Sequence, residues 1–499
     1  MTNSNLSILH ISDLHRSPGE EISNIPLLHS LSEDKERYSL RESPKIKPPD
    51  IIIVSGDIIR GSIDPNSSVD EIKKQYAEAT EFLNGLVNNF LGGDKKRIVI
   101  IPGNHDVDWK FSKESMEKIE TSEVLDSKRE LKWEFLNQAI ARNSATRWSW
   151  KDLSFYKINN LDKYHKRIEA FAKFYSEFYE GERQYSIDPK EQYDVFDYPE
   201  FNITITAFNS CYNNDHLRLI GDIHPECIAN IGFKLRELQK KGRLVLATWH
   251  HNTKGFPYDW NYMNDSCLKN FIDLGISIGF HGHQHNAELI HEFNDVIEQK
   301  KMIVFSAGTL CGGRNELPTG INRQYNIIEI ENKADSPKLE VTLHIREKTY
   351  SSHFSNPIWT AGRIDSKNIS HYTLEIEKPI IPNNIQELNE LEKLMNIEQL
   401  VRNKEFDDAK AELLKLDLKN GFARRLLLEC IVETADYNLA LEVFADPETD
   451  GEIIANLNAA LQFADKKKRK EIVKKVRSLP PSNNPGIQEL LNKNELLIL

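Results

Sequence analysis

Five short blocks hold the residues best suited to chemistry: Asp13-Leu14-His15, Gly56-Asp57, Gly103-Asn104-His105-Asp106, His250-His251 and His281-Gly282-His283-Gln284-His285. Together they supply carboxylates, imidazoles and one amide, without a thiolate. Such a mixed nitrogen and oxygen set suits Mn²⁺, Fe, Zn²⁺ or Mg²⁺ in five- or six-coordinate geometry, and Mn²⁺ is the first expectation. Two divalent ions about 4 Å apart can share one carboxylate and stabilise both the attacking and the leaving oxygen of an in-line displacement at phosphorus. The chemistry expected is therefore metal-dependent hydrolysis of a phosphoester.

The spacing fits that chemistry. In Asp13-x-His15, alternate residues at a strand end point the same way, so both side chains reach one ion. In His283-x-His285 the same spacing sends one imidazole to each of two ions. Glycines 56, 103 and 282 permit tight turns where the backbone leaves a sheet and approaches metal or phosphate. Asn104 is a neutral ligand that limits accumulated negative charge. His105 is placed to protonate a leaving oxygen or to stabilise phosphoryl oxygens. Asp106 and Asp108 either orient His105 or cap the next segment, and capping is the preferred reading. His10, His281 and His291 read as ordinary core or surface histidines.

The elements that must position these blocks are short apolar runs, each ending in a polar cluster: Leu6 to Ser12, Asp50 to Ser55, Arg97 to Pro102, Leu244 to Thr248, Ile276 to Phe280 and Met302 to Ser306. They read as strands buried on both faces of an α/β domain. Ligands gather beyond the carboxyl ends of such strands, where the five blocks fall.

The ordered series D-x-H, G-D, G-N-H-D, H and G-H-x-H resembles the calcineurin-like metallophosphoesterase superfamily, over residues 1–350. The resemblance implies a four-layer αββα sandwich of two mixed sheets flanked by helices. It implies Asp13, His15, Asp57 and His285 around one ion and Asp57, Asn104, His250 and His283 around the other, with Asp57 bridging and His105 as the catalytic histidine. The family pattern places the ligand first in an HH pair, which leaves His251, with Asp106, a supporting or phosphate-contacting role. The block GDIIRG departs from the longer G-D-x-x-D-R of protein phosphatase relatives, which argues against a Ser/Thr protein phosphatase.

Two insertions interrupt the α/β pattern. Residues 16–49, with five prolines, read as a long surface loop. Residues 107–198 read as a helical cap. Within it, Lys128 to Arg167 carries ten Lys or Arg against four acidic residues, interleaved with Trp133, Phe135, Trp148, Trp150, Phe155, Tyr156 and Tyr164. Basic side chains among aromatics can cradle phosphates and stack on bases; the preferred reading makes the aromatics the buried face of the cap. Residues 351–382 read as a linker, although His371 onward could add a strand. Residues 383–499 read as an all-α interaction domain. There Phe406-x-x-Ala409 and Tyr437-x-x-Ala440 recur 31 residues apart and weakly resemble tetratricopeptide hairpins. The run KKKRKEIVKKVR from Lys466 reads as a solvated helix face.

The net charge of −12, from 64 Lys and Arg against 76 Asp and Glu, confines any nucleic-acid contact to a local patch. Five scattered cysteines fit a reducing compartment better than a disulfide framework. Without a basic leader or a long apolar run at the N-terminus, the expectation is a cytoplasmic protein with no membrane contact. The first functional expectation is a dinuclear-metal phosphodiesterase for nucleic acid or a nucleotide, resembling bacterial cyclic-nucleotide phosphodiesterases and the superfamily's DNA exonucleases. The alternatives are a small-molecule phosphomonoesterase and, from another class, an effector subunit of a multi-protein complex, with a defence complex as the analogy. A protein partner or self-association through the C-terminal domain belongs to the last.

Overall fold

The computed structural model describes residues 5–61, 69–142, 144–255, 261–295, 300–313, 316–333, 336–349, 352–353, 356–363, 369–379, 393–394, 396–401, 403–416, 418, 421–479 and 484–498. Two compact units divide the chain, one of residues 1–295 and 300–381 and the other holding residues 382–499. Among the described residues no helix is long and apolar enough to cross a membrane.

The six apolar runs are strands, and they fall into two sheets. The first contains β1 (Asn5–Ile11), β2 (Ile51–Val54), β3 (Ile98–Ile100), β13 (Gln324–Glu331), β14 (Lys338–Lys348), β15 (Trp359–Ala361) and β16 (His371–Glu377), in the order β15-β14-β13-β1-β2-β3 with β16 also on β14. The second runs β11-β12-β10-β9-β8-β7, from Glu288–Asp295, Lys300–Ser306, Ile276–His281, Leu244–Thr248, Ile203–Phe208 and Tyr193–Tyr198. Both sheets are mixed: β1 pairs parallel with β2 and antiparallel with β13, and β10 pairs parallel with β9 and β12.

The sheets share one core, in which Ile8, Ile53 and Ile328 of the first pack with Ile205, Leu246 and Phe305 of the second. Helices Asn24–Leu40 and Val69–Leu91 add Leu27, Leu31, Phe82 and Leu86 to that core. On the other face of the second sheet, helices Pro225–Lys240 and Asp265–Asp273 bury Ile231, Leu235, Leu268 and Phe271 against Val245 and Val304. Burial on both faces explains why β2 is wholly apolar and why β1 and β9 are largely so.

Three expectations are corrected. Residues 16–49 are not simply a loop, because Asn24–Leu40 is a 17-residue helix. Pro26 falls in its first turn, where a missing N–H costs nothing. Asp34 on its inner face takes a two-point ion pair from Arg346, at 2.6 and 2.9 Å, and Tyr325 also donates to Asp34. Residues 351–382 are not simply a linker, since β15 and β16 extend the first sheet. Trp359 of β15 is 1% exposed, and its indole N–H donates to Ser30 Oγ at 3.0 Å. Residues 351, 354–355, 364–368 and 380–382 of that linker lie outside the described residues.

Residues 107–198 are not an all-helical cap. They contain a small antiparallel sheet of β4 (Met116–Lys118), β5 (Thr146–Ser149) and β6 (Ser154–Ile158), in the order β4-β6-β5. Their helix Glu169–Phe178 buries Phe171, Phe174, Tyr175 and Phe178 in the main core, and β7 joins the second sheet. Two of the basic residues are internal anchors rather than a phosphate cradle. Arg147 pairs with buried Asp215 at 2.7 Å, and Arg167 lies on the Tyr164 ring while donating to the carbonyls of Tyr212 and Asn214. Phe155 and Tyr164 are buried, whereas Trp133 and Trp150 are exposed.

The second unit is helical throughout its described residues. Ala409 and Ala440, the small residues of the two recurring motifs, are fully buried in one cluster with Leu413, Leu427 and Phe444. A second cluster joins Ile453 and Leu457 to Val473, Val476, Ile487 and Leu491.

Candidate metal centre

All seven residues expected as ligands meet beyond the strand ends. Asp13, His15 and His285 form one group whose ligand atoms lie within 4.8 Å of one another, and Asp57, His250 and His283 form another. Asp57 stands between them, its Oδ2 3.3 Å from His250 Nε2 and 3.9 Å from His15 Nε2. Asn104 Oδ1 lies 2.8 Å from His283 Nδ1 and 3.0 Å from His250 Nε2. His285 Nε2 lies 3.3 Å from Asp13 Oδ1 and from His15 Nε2.

How the backbone presents these groups differs from the strand-end argument. Asp13, His15, Asp57, His283 and His285 all have positive φ, between 44° and 72°. Alternation along a strand therefore does not aim the Asp-x-His pair; successive left-handed turns after β1 do. Residues without glycine's freedom seldom adopt this region, and each costs of order 1 kcal/mol, a form of strain concentrated at functional sites. Close packing adds a second constraint. A Cβ on Gly282 would lie 1.8 Å from Ser12 Oγ and 2.6 Å from Asp13 Oδ2, so glycine is required for the His283 loop to reach Asp13. The His283 backbone N–H then donates to Asp13 Oδ2 at 3.0 Å.

The donor set fits cations. His250 Nδ1–H donates to the Ser55 carbonyl at 2.8 Å, and His285 Nδ1–H donates to the Glu316 carbonyl at 2.6 Å. Each ring is thereby fixed in the tautomer that turns an Nε2 lone pair toward a carboxylate oxygen, the outer-sphere arrangement typical of metal-binding histidines. Lone pairs and carboxylates converging in a buried space repel unless a cation lies between them. In the protein alone that cation is a proton. Burial opposes charge on His250, but the Asp57 carboxylate and its hydrogen bond raise it to about 9. His285 is likewise raised to about 9, against burial, by Asp13. His15 and His283 stay neutral, lowered by burial to about 4 and about 3.

His105 occupies the open side. Its side chain is 41% exposed, its backbone N–H donates to Asp57 Oδ1 at 2.8 Å, and its ring Nδ1–H donates to the Arg60 carbonyl at 2.6 Å. Nε2 is left free, 3.9 Å from Asp57 Oδ2, and the ring stands edge-on to His15.

The supporting residues act through neighbours. Ser210 Oγ accepts the backbone N–H groups of both His250 and His251, at 3.0 and 3.2 Å, and is hydrogen-bonded to His251 Nδ1 at 2.9 Å. On the other side of the ring, Asn214 Nδ2–H donates to His251 Nε2 at 3.2 Å. With both nitrogens engaged and no exposure, His251 offers nothing to phosphate; it braces the His250 loop. Asp106 likewise fits the supporting one of the two expected roles. Its carboxylate accepts from the N–H groups of Gly103 and Ile58, at 2.8 and 3.1 Å, and from Tyr76 OH at 3.0 Å. It ties the Gly56 and Gly103 loops together rather than touching phosphate, and burial with the nearby Asp57 charge raises it to about 7. Asp108 caps the Trp109–Glu114 helix. Sequence reasoning missed Ser55, Ser210, Asn214 and Glu316, which carry no spacing signal because each contributes through the fold alone.

A family model for calcineurin-like phosphoesterases matches residues 6–287, and the chain belongs to that family. Membership makes it a metal-dependent phosphoester hydrolase by class, with two divalent ions implied. No curated protein matches the chain. Among solved structures, it is similar to a dimetal phosphatase from Danio rerio, at 11% identity and TM-score 0.35, covering 68% of this chain and 96% of that one. It is similar to the calcineurin-like phosphoesterase YfkN from Bacillus subtilis, at 12% identity and TM-score 0.27, covering 75% and 91%. Vps29 from Chaetomium thermophilum aligns at 8% identity and TM-score 0.25, covering 75% and 100%.

Proposed function

We propose that the protein is a dinuclear-metal phosphodiesterase acting on nucleic acid or a nucleotide. The observation that carries the reading is the place of Asp57 between the two donor groups, its Oδ2 3.3 Å from His250 Nε2 and 3.9 Å from His15 Nε2, with the Nε2 of His105 also 3.9 Å away. Asp13, His15, Asp57 and His285 would hold one ion, and Asp57, Asn104, His250 and His283 the other. When bound, the two ions supply Lewis-acid charge to the phosphoryl oxygens and lower the pKa of an attacking water. The chain's own part is positional. His105, its Nδ1–H held by the Arg60 carbonyl, presents Nε2 on the open side, from which the doubly protonated ring would give a proton to a departing alkoxide.

A preference for diesters is supported by charge. Glu316 lies within electrostatic reach of His15, His285 and His105, and Glu20 beside it pairs with Arg60 at 3.2 Å. With Glu20 compensated by Arg60, a monoester dianion brings a second negative charge toward the Glu316 carboxylate, whereas a diester carries only one.

The test compares bis-p-nitrophenyl phosphate with p-nitrophenyl phosphate, using metal-free protein resupplied with Mn²⁺ and Asp57→Ala as control. Mn²⁺-dependent preference for the diester is expected. Preference for the monoester would replace this reading with a small-molecule phosphatase, and inactivity on both would favour an effector subunit that awaits a partner.

A further inference from the structure

Like charge is densely concentrated on one helix of the C-terminal unit. Helix Lys466–Ser478 holds eight Lys or Arg and a single Glu, in a chain whose net charge is −12. Its apolar stripe is already occupied, since Val473 and Val476 are buried with Ile453, Leu457, Ile487 and Leu491. The helix is thus docked by one face and is not free to lie in a lipid surface.

Three of its cations have internal work. Arg469 donates to the carbonyls of Ala460 and Ala464, Lys475 pairs with Asp446, and Arg477 pairs with Glu495. Among the described residues, no side-chain partner is present for exposed Lys467, Lys468, Lys470 or Lys474. Lys467, Lys470 and Lys474 follow the i, i+3, i+7 spacing of a single stripe, about 10 Å long at 1.5 Å per residue.

The arrangement is electrostatically unfavourable in isolation. The first turn contains Lys466, Lys467 and Lys468, and only the N-cap Asp465 and the single Glu471 offset this charge at the end of the helix that carries positive partial charge. Lys470 also faces Lys474 at i+4, a spacing at which like charges destabilise. Local choices that oppose the fold in this way mark functional surfaces. Phe463, three residues before Lys466, is 54% exposed and supplies an aromatic face at the same end of the helix. An acidic peptide would use the lysines and leave the ring idle. Single-stranded nucleic acid uses both, through phosphate contacts and base stacking.

We propose that the lysine face of this helix, together with Phe463, binds single-stranded nucleic acid through about three or four phosphates. The catalytic reading is not required for this inference. Binding is measured with hydrolysis switched off, so failure of the diester assay leaves it standing, and failure of binding leaves the diester reading standing.

The experiment is fluorescence anisotropy of a labelled oligothymidylate with the full-length protein in EDTA, over a salt series. The logarithm of affinity is expected to fall with that of salt at a slope of about −2 to −3, from about −0.7 per phosphate. The triple variant Lys467→Glu, Lys470→Glu, Lys474→Glu is expected to weaken binding by about tenfold or more and to flatten the slope. The corresponding Lys→Gln triple should fall between it and the parent, which guards against misfolding of the charge reversal. Phe463→Ala should weaken binding by roughly 5- to 100-fold. Hydrolysis of a small aryl phosphoester should be unchanged in all of them. Parent-like binding by both triple variants overturns the proposal. So does binding to polyglutamate or phosphatidylserine vesicles without binding to the oligonucleotide.

Discussion

A steric test aimed at the centre of the metal site is Gly103→Ala. Gly103 has φ −112° and ψ −172°, a conformation open to alanine, so the backbone itself imposes no penalty. The obstacle is space. An added Cβ would lie 2.1 Å from Asp57 Oδ1 and 2.3 Å from the Asp57 amide nitrogen, whereas real Cβ contacts essentially never fall under 3.0 Å. The carboxylate must therefore retreat by 3.0 − 2.1 = 0.9 Å, and the backbone beneath it by 3.0 − 2.3 = 0.7 Å. Asp57 stands between the two donor groups, 3.3 Å from His250 and 3.9 Å from His15, so the displacement disturbs both positions at once. A misplacement of about 1 Å at a reacting centre costs on the order of 10²-fold in rate. The assay is kcat on an aryl phosphodiester after metal resupply, with metal content measured by emission spectroscopy and folding by circular dichroism. Gly421→Ala, where the added Cβ meets nothing within 4 Å, serves as the control. A Gly103→Ala protein with parental kcat and two bound metals per chain would refute the reasoning.

Other expectations separate roles within the site and the scaffold. His105→Ala should retain its metals and lose about 10²- to 10⁴-fold in turnover, while Asp57→Ala should lose metal as well; metal analysis beside kinetics distinguishes them. Arg346→Met should cost about 3–5 kcal/mol in urea unfolding, because it leaves Asp34, 1% exposed, without its counter-charge. His10 gives a pH-dependent signature. Burial, then the nearby His281, lowers it from 6.5 to about 3 despite opposing Asp13, so below 6.5 the unfolded chain binds a proton that the folded one refuses. Stability should therefore fall by about 1.4 kcal/mol per pH unit as pH drops below 6.5 toward about 3. His10→Phe, which keeps a ring against Phe280, should remove that component; an unchanged slope in urea titrations would show that His10 is not its source.

The five chemical blocks were legible because their signals are local. A buried strand must be apolar on both faces, and a loop that passes close to another backbone needs glycine, so β1, β2, β3, β9, β10 and β12 and the residues beyond them stand out in the linear chain. Elements whose stability comes from distant partners were not. The Asn24–Leu40 helix is tied through Asp34 to Arg346 on β14, and Trp359 of the expected linker is buried against that helix through Ser30. The β5–β6 hairpin is anchored when Arg147 meets Asp215, a residue 68 positions away. No periodicity within a short window encodes such pairings.

At the site itself, sequence determined which residue types assemble and in what order, because metal chemistry restricts ligands to a few side chains. Only the tertiary structure decided how each one is used. His250 and His251 are chemically identical in the sequence, but Ser55 fixes the first with Nε2 toward Asp57, whereas Ser210 and Asn214 consume both nitrogens of the second. The aim of an imidazole depends on which neighbour takes its other nitrogen, and that neighbour is chosen by folding rather than by adjacency in the chain.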